Sequence, residues 1–186
     1  EKKMIDTSKK FLVAGAGKSG IGSVNLLLKT GADVSLYDGN EELDKEALFE
    51  KLYEKKEISL VLGNITKEDI EKYDLLVLSP GISVNAPIAQ MFYDQEKPVW
   101  SEIELAYQAS KGKIAAITGT NGKTTTTALT GEIMKGYYES SFVVGNIGIP
   151  YTSVALDTQE NSVITAEISS FQLETIVDFK PCLLYT

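Results

Sequence analysis

Short apolar runs alternate with helical patterns along the whole chain. Phe11-Leu-Val-Ala14 is an unbroken apolar run, the signature of a strand buried on both faces. Ile21 to Lys29 has helical spacing, with Val24, Leu27 and Leu28 on one face. Val34 to Tyr37 predicts a second strand, and Leu43 to Tyr53 an amphipathic, heavily charged helix. Ile58 to Leu62 and Leu75 to Leu78 predict further strands, and Val99-Trp100 leads into a helix from Glu102 to Ala109. Then come strand Ile114 to Thr118, helix Thr124 to Lys135, and strands Phe142 to Val144, Val163 to Ala166 and Leu183 to Tyr185. Strands alternating with helices imply crossover units and a mostly parallel sheet, an α/β fold.

The polar, glycine-containing stretch Ser110-Lys-Gly-Lys113 marks a boundary. Residues 1–110 can complete one Rossmann-like sheet domain. Residues 111–186 hold three or four strands and about two helices, thin for an independent core and expected to be an incomplete P-loop ATPase-type domain. The chain stops at Thr186 directly after an apolar run, so a fragment of a longer protein is expected.

Composition narrows the chemistry. The 186 residues are 43% hydrophobic and 24% charged, the balance of a soluble globular protein. The net charge of −8 argues against a general nucleic-acid binder. No window approaches the ~18 consecutive apolar residues of a membrane span. All 18 basic residues are lysine, so a Ser-His-Asp triad, a His-based zinc site and an arginine finger are excluded within this chain. Any anion must be held by lysine, backbone N–H groups, uncharged donors or a metal. Cys182, the single cysteine, excludes an internal disulfide, fits a reducing compartment and reads as a small buried hydrophobe.

Two loops carry phosphate-binding patterns. Gly15-Ala-Gly17-Lys18-Ser19-Gly20 follows a strand and opens a helix, the setting G-x-G-x-x-G requires. Gly15 permits the turn, Gly17 lets backbone approach a phosphate, and Gly20 allows close helix–strand packing. Asp38 ends the next strand, where a carboxylate could bind a ribose or base edge. The motif does not say which nucleotide it holds, and a ligand-free glycine turn has the same pattern. The second loop, Gly119-Thr120-Asn121-Gly122-Lys123-Thr124-Thr125, lies between a strand and a helix, as in a P-loop. Its amides form an anion nest, Lys123 can bridge phosphates and Thr124 can ligate Mg²⁺. The spacing is short: Gly119 and Gly122 enclose two residues where the general pattern has four.

Other candidates are weaker. Ser79-Pro-Gly81-Ile-Ser83 follows an apolar strand, so it lies where ligands bind, although a plain turn reads the same. Ser101-Glu-Ile-Glu104 matches a capping box, so Glu104 should satisfy backbone donors and not take part in catalysis. Asn146 could bond a ligand or serve a turn. Glu167 sits at a strand's carboxyl end, where a second acidic Mg²⁺ ligand belongs in a nucleotide triphosphatase, with Ser169, Ser170 and Gln172 behind it. A solvated strand-end glutamate fits the same spacing.

Gly119-Thr-Asn-Gly-Lys-Thr-Thr125 resembles the ATP loop of the Mur ligase family, whose loop has this shortened spacing. Asn146-Ile-Gly-Ile-Pro150 and Glu167-Ile-Ser-Ser-Phe-Gln-Leu173 are similar to further signatures of the family's central domain. Gly15-Ala-Gly17-Lys-Ser-Gly20, Ser79-Pro-Gly-Ile82 and Glu102-Ile-Glu-Leu105 resemble the branch that joins D-glutamate to UDP-N-acetylmuramoyl-L-alanine in peptidoglycan synthesis. The resemblance implies a three-domain, cytoplasmic, monomeric ligase using ATP and Mg²⁺. It places Gly17, Lys18, Ser19, Asp38, Gly39, Ser79 and Gly81 on the uridine diphosphate, and Asn146, Ser169 and Gln172 on the rest of the muramoyl substrate. It places Gly119 to Thr125 on ATP, with Lys123 and Glu167 catalytic and Thr124 and Glu167 on Mg²⁺. The third domain, which takes D-glutamate, is missing, so this chain is expected not to ligate alone. Two other readings stay open: an NAD-type binding module or sensor resting on the first glycine loop, and a silent interaction or folding unit.

Overall fold

The computed structural model describes residues 5–145 and 148–185. Among the described residues, nine strands form two parallel sheets. The first contains β1 (Lys10–Ala14), β2 (Asp33–Asp38), β3 (Ser59–Leu62), β4 (Leu75–Leu78) and β5 (Val99–Ser101) in the order β3-β2-β1-β4-β5. The second contains β6 (Lys113–Ile117), β7 (Ser141–Gly145), β8 (Val163–Glu167) and β9 (Leu183–Tyr185) in the order β7-β8-β6-β9. The expected α/β class and parallel pairing are both present.

The continuous apolar runs are explained by burial on both faces. Phe11 and Val13 point into one cluster, Leu12 and Ala14 into another. The second cluster includes Ile88 and Phe92 of α4 (Pro87–Asp94), a helix begun by proline at its first position, where the missing N–H costs nothing. The first cluster runs without a break from β1 through α1 (Lys18–Thr30) and α5 (Glu102–Ala109) to β6, β8 and α7 (Tyr151–Val154). The two sheets therefore share one core, with α5 between them. Gly22 lets α1 approach α7 closely, since a Cβ there would stand 2.6 Å from Thr152 Oγ1. The hydroxyls of Ser110 and Tyr151 bond at 2.5 Å across the same junction.

Local structure departs from the sequence pattern in several places, among them α4 and α7, which the pattern does not predict. The expected helix Leu43 to Tyr53 is only α2 (Lys45–Phe49), begun by Asp44, whose carboxylate accepts from the Ala47 N–H at 3.0 Å. It is followed by a 3-10 turn, Tyr53–Lys55, in which Glu54 and Lys55 have positive φ. This stretch has too few apolar residues for a continuous face: Leu48 and Leu52 are the ones buried. Short α3 (Lys67–Ile70) and α8 (Ser170–Leu173) rest on capping boxes, at Thr66–Asp69 and Ser169–Gln172. Cys182 is exposed, not buried: it precedes edge strand β9 and is held by its backbone N–H to the Ile114 carbonyl at 2.8 Å. Among the described residues no helix is long and apolar enough to cross a membrane.

Candidate functional site

In the first sheet the chain order reverses between β1 and β4, the switch point at which loops diverge beyond the strand ends and leave a crevice. A cavity of about 510 Å³ opens there. Gly17, Lys18, Ser19, Asp38, Gly39, Ser79 and Gly81, the residues singled out in the sequence, all line it. Ala16, Pro80 and Ile82 join them, having given no separate signal.

The loop geometry explains the glycines. Gly15 has φ +97° and donates its N–H to the Tyr37 carbonyl at 2.7 Å. Gly20 lies so close to the loop that a Cβ would fall 1.8 Å from the Gly15 carbonyl oxygen. Nothing lies within 4 Å of a Cβ on Gly17 or Gly81, so both present bare backbone to the cavity. Gly17 starts α1 with no side-chain cap and no acidic residue in the first turn. The first-turn amides have no intrahelical acceptor, and the positive end of the helix dipole faces the cavity. Asp38 fixes the loop: Oδ2 accepts from the Ala16 N–H at 2.8 Å and Oδ1 from the Asn40 N–H at 2.9 Å. Each oxygen keeps a further lone pair for a hydroxyl.

The second loop joins β6 to α6 (Lys123–Tyr137) and is open to solvent from Thr120 to Gly122. Gly119 (φ +130°) and Gly122 (φ +77°) take backbone conformations that disfavour a side chain. Gly122 is the N-cap of α6, again without a side-chain cap. Lys123 folds back, its Nζ donating to the Gly119 carbonyl at 2.6 Å, so the loop curls around its own ammonium. Thr124 and Thr125 are exposed on the first turn.

Glu167 ends β8, in register with Ile117 of β6 and Gly145 of β7. The Ile168 N–H donates to the Ile117 carbonyl at 2.9 Å, tying the carboxylate's strand end to the root of the phosphate loop. Glu167 is 3% exposed, and its Oε2 has no hydrogen-bond partner. A buried carboxylate oxygen without a donor is costly, so this atom is suited to a cation. Among the described residues no three His, Cys, Asp or Glu side chains converge on a metal-sized site.

Of the remaining candidates, Asn146 lies outside the described residues. Ser169 caps α8, its Oγ accepting from the Gln172 N–H at 3.3 Å. Gln172 is buried, and its Oε1 accepts from Ser169 N and Oγ at 2.9 and 3.1 Å. Phe171, Gln172 and Thr175 meet Ser79, Pro80 and Ile82 across a narrow cleft, so α8 abuts the wall of the first cavity. Ser101 caps α5 as the capping-box motif predicts, accepting from the Glu104 N–H at 3.2 Å. The Glu104 carboxylate does not return to the cap. It accepts backbone N–H groups from Val177, Asp178 and Phe179 at 2.9 to 3.2 Å.

The family described as Mur ligase MurD-like, N-terminal domain, matches residues 9–101, and the Mur ligase middle domain matches residues 117–183. A UDP-N-acetylmuramoylalanine--D-glutamate ligase from Lachnospira eligens is 55% identical over 174 residues, covering 94% of this chain and 38% of that protein. Its counterpart from Lachnoclostridium phytofermentans is 53% identical over 173 residues, with 93% and 38% covered. The chain therefore spans well under half the length of these relatives. A solved UDP-N-acetylmuramate:L-alanyl-gamma-D-glutamyl-meso-diaminopimelate ligase from Neisseria meningitides shares the fold, with a TM-score of 0.51 at 16% identity, over 88% of this chain and 55% of that one.

Proposed function

The chain belongs to the Mur ligase family, and we propose that it is the substrate-binding and phosphate-loop part of an ATP-dependent ligase joining D-glutamate to UDP-N-acetylmuramoyl-L-alanine. Support comes from relatives that carry that ligase name over this same stretch. The observation that carries the chemistry is the pairing of the Gly119–Thr125 loop with Glu167, whose buried oxygen lacks a donor, on adjacent parallel strands.

In this reading residues 1–110 and 111–186 are two units of a monomeric cytoplasmic enzyme. Gly17, Lys18, Ser19, Asp38, Gly39, Ser79 and Gly81 hold the uridine diphosphate. The α1 amides grip the phosphates, Lys18 supplies positive charge, and Asp38 offers its spare lone pairs to a hydroxyl. Asn146 and Ser169 face the remainder of the substrate, and the buried Gln172 holds Ser169 in place through its Oε1. Gly119, Thr120, Asn121, Gly122, Lys123, Thr124 and Thr125 hold ATP, and Thr124 and Glu167 hold Mg²⁺.

Mg²⁺-bound ATP supplies the phosphoryl group and part of the charge neutralisation. The alanyl carboxylate oxygen would take that group from the γ-position as an acyl phosphate, with ADP leaving as the β–γ bond breaks. The D-glutamate amine then attacks the acyl carbon, the amide forms, and phosphate leaves. The chain's own contribution is positioning and charge. Lys123 releases the Gly119 carbonyl and turns to the transferring phosphate, and the loop amides hold phosphate oxygens in place.

Lys123→Ala in the full-length protein tests the assignment. Loss of ATP-dependent turnover is expected, and unchanged turnover refutes the role of that lysine. Calorimetry on the chain tests the first cavity. Binding of UDP-N-acetylmuramoyl-L-alanine is expected; tight NAD binding with no response to the UDP substrate would turn the reading into a dinucleotide module.

A further inference from the structure

Glu102 is the first residue of α5, is 2% exposed, and has no part in the function proposed above. Its Oε1 accepts from Thr152 N and Oγ1, both at 3.1 Å. The Tyr151 N–H and the Gln172 side chain also lie beside its carboxylate and favour its charged form. Gln172 has a fixed orientation. Its Oε1 is committed to the Ser169 N–H and hydroxyl, so its Nε2 is the end that reaches Glu102.

The identity of residue 102 follows from this arrangement. The junction offers two backbone N–H groups, a hydroxyl and an amide NH₂, all donors. A carboxylate is the side chain that only accepts and can take four donors at once. Glutamine in its place would turn its own NH₂ against one of them.

The donors belong to the two segments that follow β7 and β8. Tyr151 and Thr152 open α7 beyond the β7 loop. Gln172 fixes the Ser169 turn, which directly follows Glu167 and Ile168. Through the cleft between α8 and Ser79–Ile82, the same turn abuts the first cavity. One buried carboxylate on the first sheet's last helix thus ties down both strand-end segments of the second.

We infer that Glu102 is a positioning residue: it sets the Glu167–Gln172 turn and the start of α7 against the first cavity, aligning the substrate's carboxylate with the phosphate donor. This rests on the proposed role of Glu167, and its test separates the two.

The test is a swap in the full-length protein: Glu102→Gln, Gln172→Glu and both together. In Glu102→Gln two NH₂ groups face each other. In the double variant the amide at position 102 accepts from Thr152 and donates to the carboxylate at position 172. That carboxylate in turn accepts from Ser169, so the donors of Thr152, Ser169 and residue 102 are satisfied again and the Tyr151 N–H alone lacks its acceptor.

Amide hydrogen exchange on the ligand-free protein is the first readout. Protection at Thr152 and Ser169 should fall in Glu102→Gln and return in the double variant. Turnover is the second: kcat should fall by about 10–100-fold, the usual cost of losing a supporting contact, with KM for D-glutamate unchanged and the double variant recovering. Wild-type exchange at both amides, full turnover in Glu102→Gln, or a double variant no better than the single one would overturn the inference. If Glu102→Gln does not fold, folding and turnover of the double variant decide between the same outcomes. Failure of the Glu167 reading is seen separately, as full turnover in Glu167→Gln with the exchange pattern at Thr152 and Ser169 intact.

Discussion

Glu104→Ala is the sharpest test of how the two sheets are joined. Glu104 is 0% exposed. Its carboxylate accepts from Val177, Asp178 and Phe179 N–H groups and from Gln108 Nε2 at 2.6 Å. Gln108 also donates to Asp178 Oδ2 at 3.0 Å, and Tyr107 meets the Phe179 ring edge-on at 5.4 Å. Removing the carboxylate leaves four donors without this acceptor. Val177 and Asp178 are exposed, so water can replace their bonds, at about 0.5–1.5 kcal/mol each. Phe179 is buried, so its N–H stays dry, at about 1–3 kcal/mol. These bonds together come to about 2–6 kcal/mol, and the shortened side chain's lost packing adds to them, a large share of a domain's usual 5–15 kcal/mol. Glu104→Gln should lose less, because its amide oxygen still takes two donors. Urea unfolding of wild type and both variants measures the order. A loss below about 1 kcal/mol for Glu104→Ala would mean that the 177–179 segment is not held by this carboxylate.

Gly17→Ala should leave folding stability unchanged or raised by up to about 1 kcal/mol, since the new Cβ meets nothing within 4 Å and the backbone is extended. It should nonetheless weaken UDP-substrate binding measured by calorimetry, because the methyl group enters the cavity; equal affinity would place the ligand elsewhere. Gly20→Ala should lose both folding stability and binding, because its Cβ would overlap the Gly15 carbonyl, and a thermal midpoint equal to wild type would refute that packing. Burial raises the Glu102 pKa above its ordinary 4.5, so the folded state binds that proton more tightly than the unfolded one. Its contribution to stability therefore grows as pH falls through the raised pKa and levels off below 4.5. Unfolding free energies of wild type relative to Glu102→Gln should rise in that direction, and a gap that is flat with pH would refute the sign.

The strands were legible in the sequence because parallel strands buried on both faces become unbroken apolar runs. Leu75 to Leu78 and the helix Glu102 to Ala109 fall where the pattern predicts. The charged stretch from Leu43 misled for a related reason. Its charges suggested a solvated helical face, but two buried leucines cannot hold a long helix to a core. A four-residue helix such as α3 or α8 is shorter than the window in which a helical period can be read. Only the cap residues announce it.

The site divides along the same physical line. Each glycine loop was visible because its geometry is local: a strand, a turn requiring positive φ, and a helix start. Strand order is not local. Gly15 and Ser79 share a cavity because β1 pairs with β4, and the alternation of elements does not state that pairing. The two glutamates of α5 are the extreme case. The motif Ser101-Glu-Ile-Glu104 gave a cap, and Ser101 is one, yet the Glu104 carboxylate spends itself on amides 73 to 75 residues away. Glu102 reaches 50 residues, to Thr152. A chain without arginine or histidine can still bury two carboxylates in one helical turn, because the opposing segments present backbone and amide donors arranged as acceptors require. The absence of cationic partners is thus what ties the junction to backbone conformation. A change of loop path at Tyr151 or Asp178 withdraws the donors themselves, so the helix senses where those segments are, not what charge they carry.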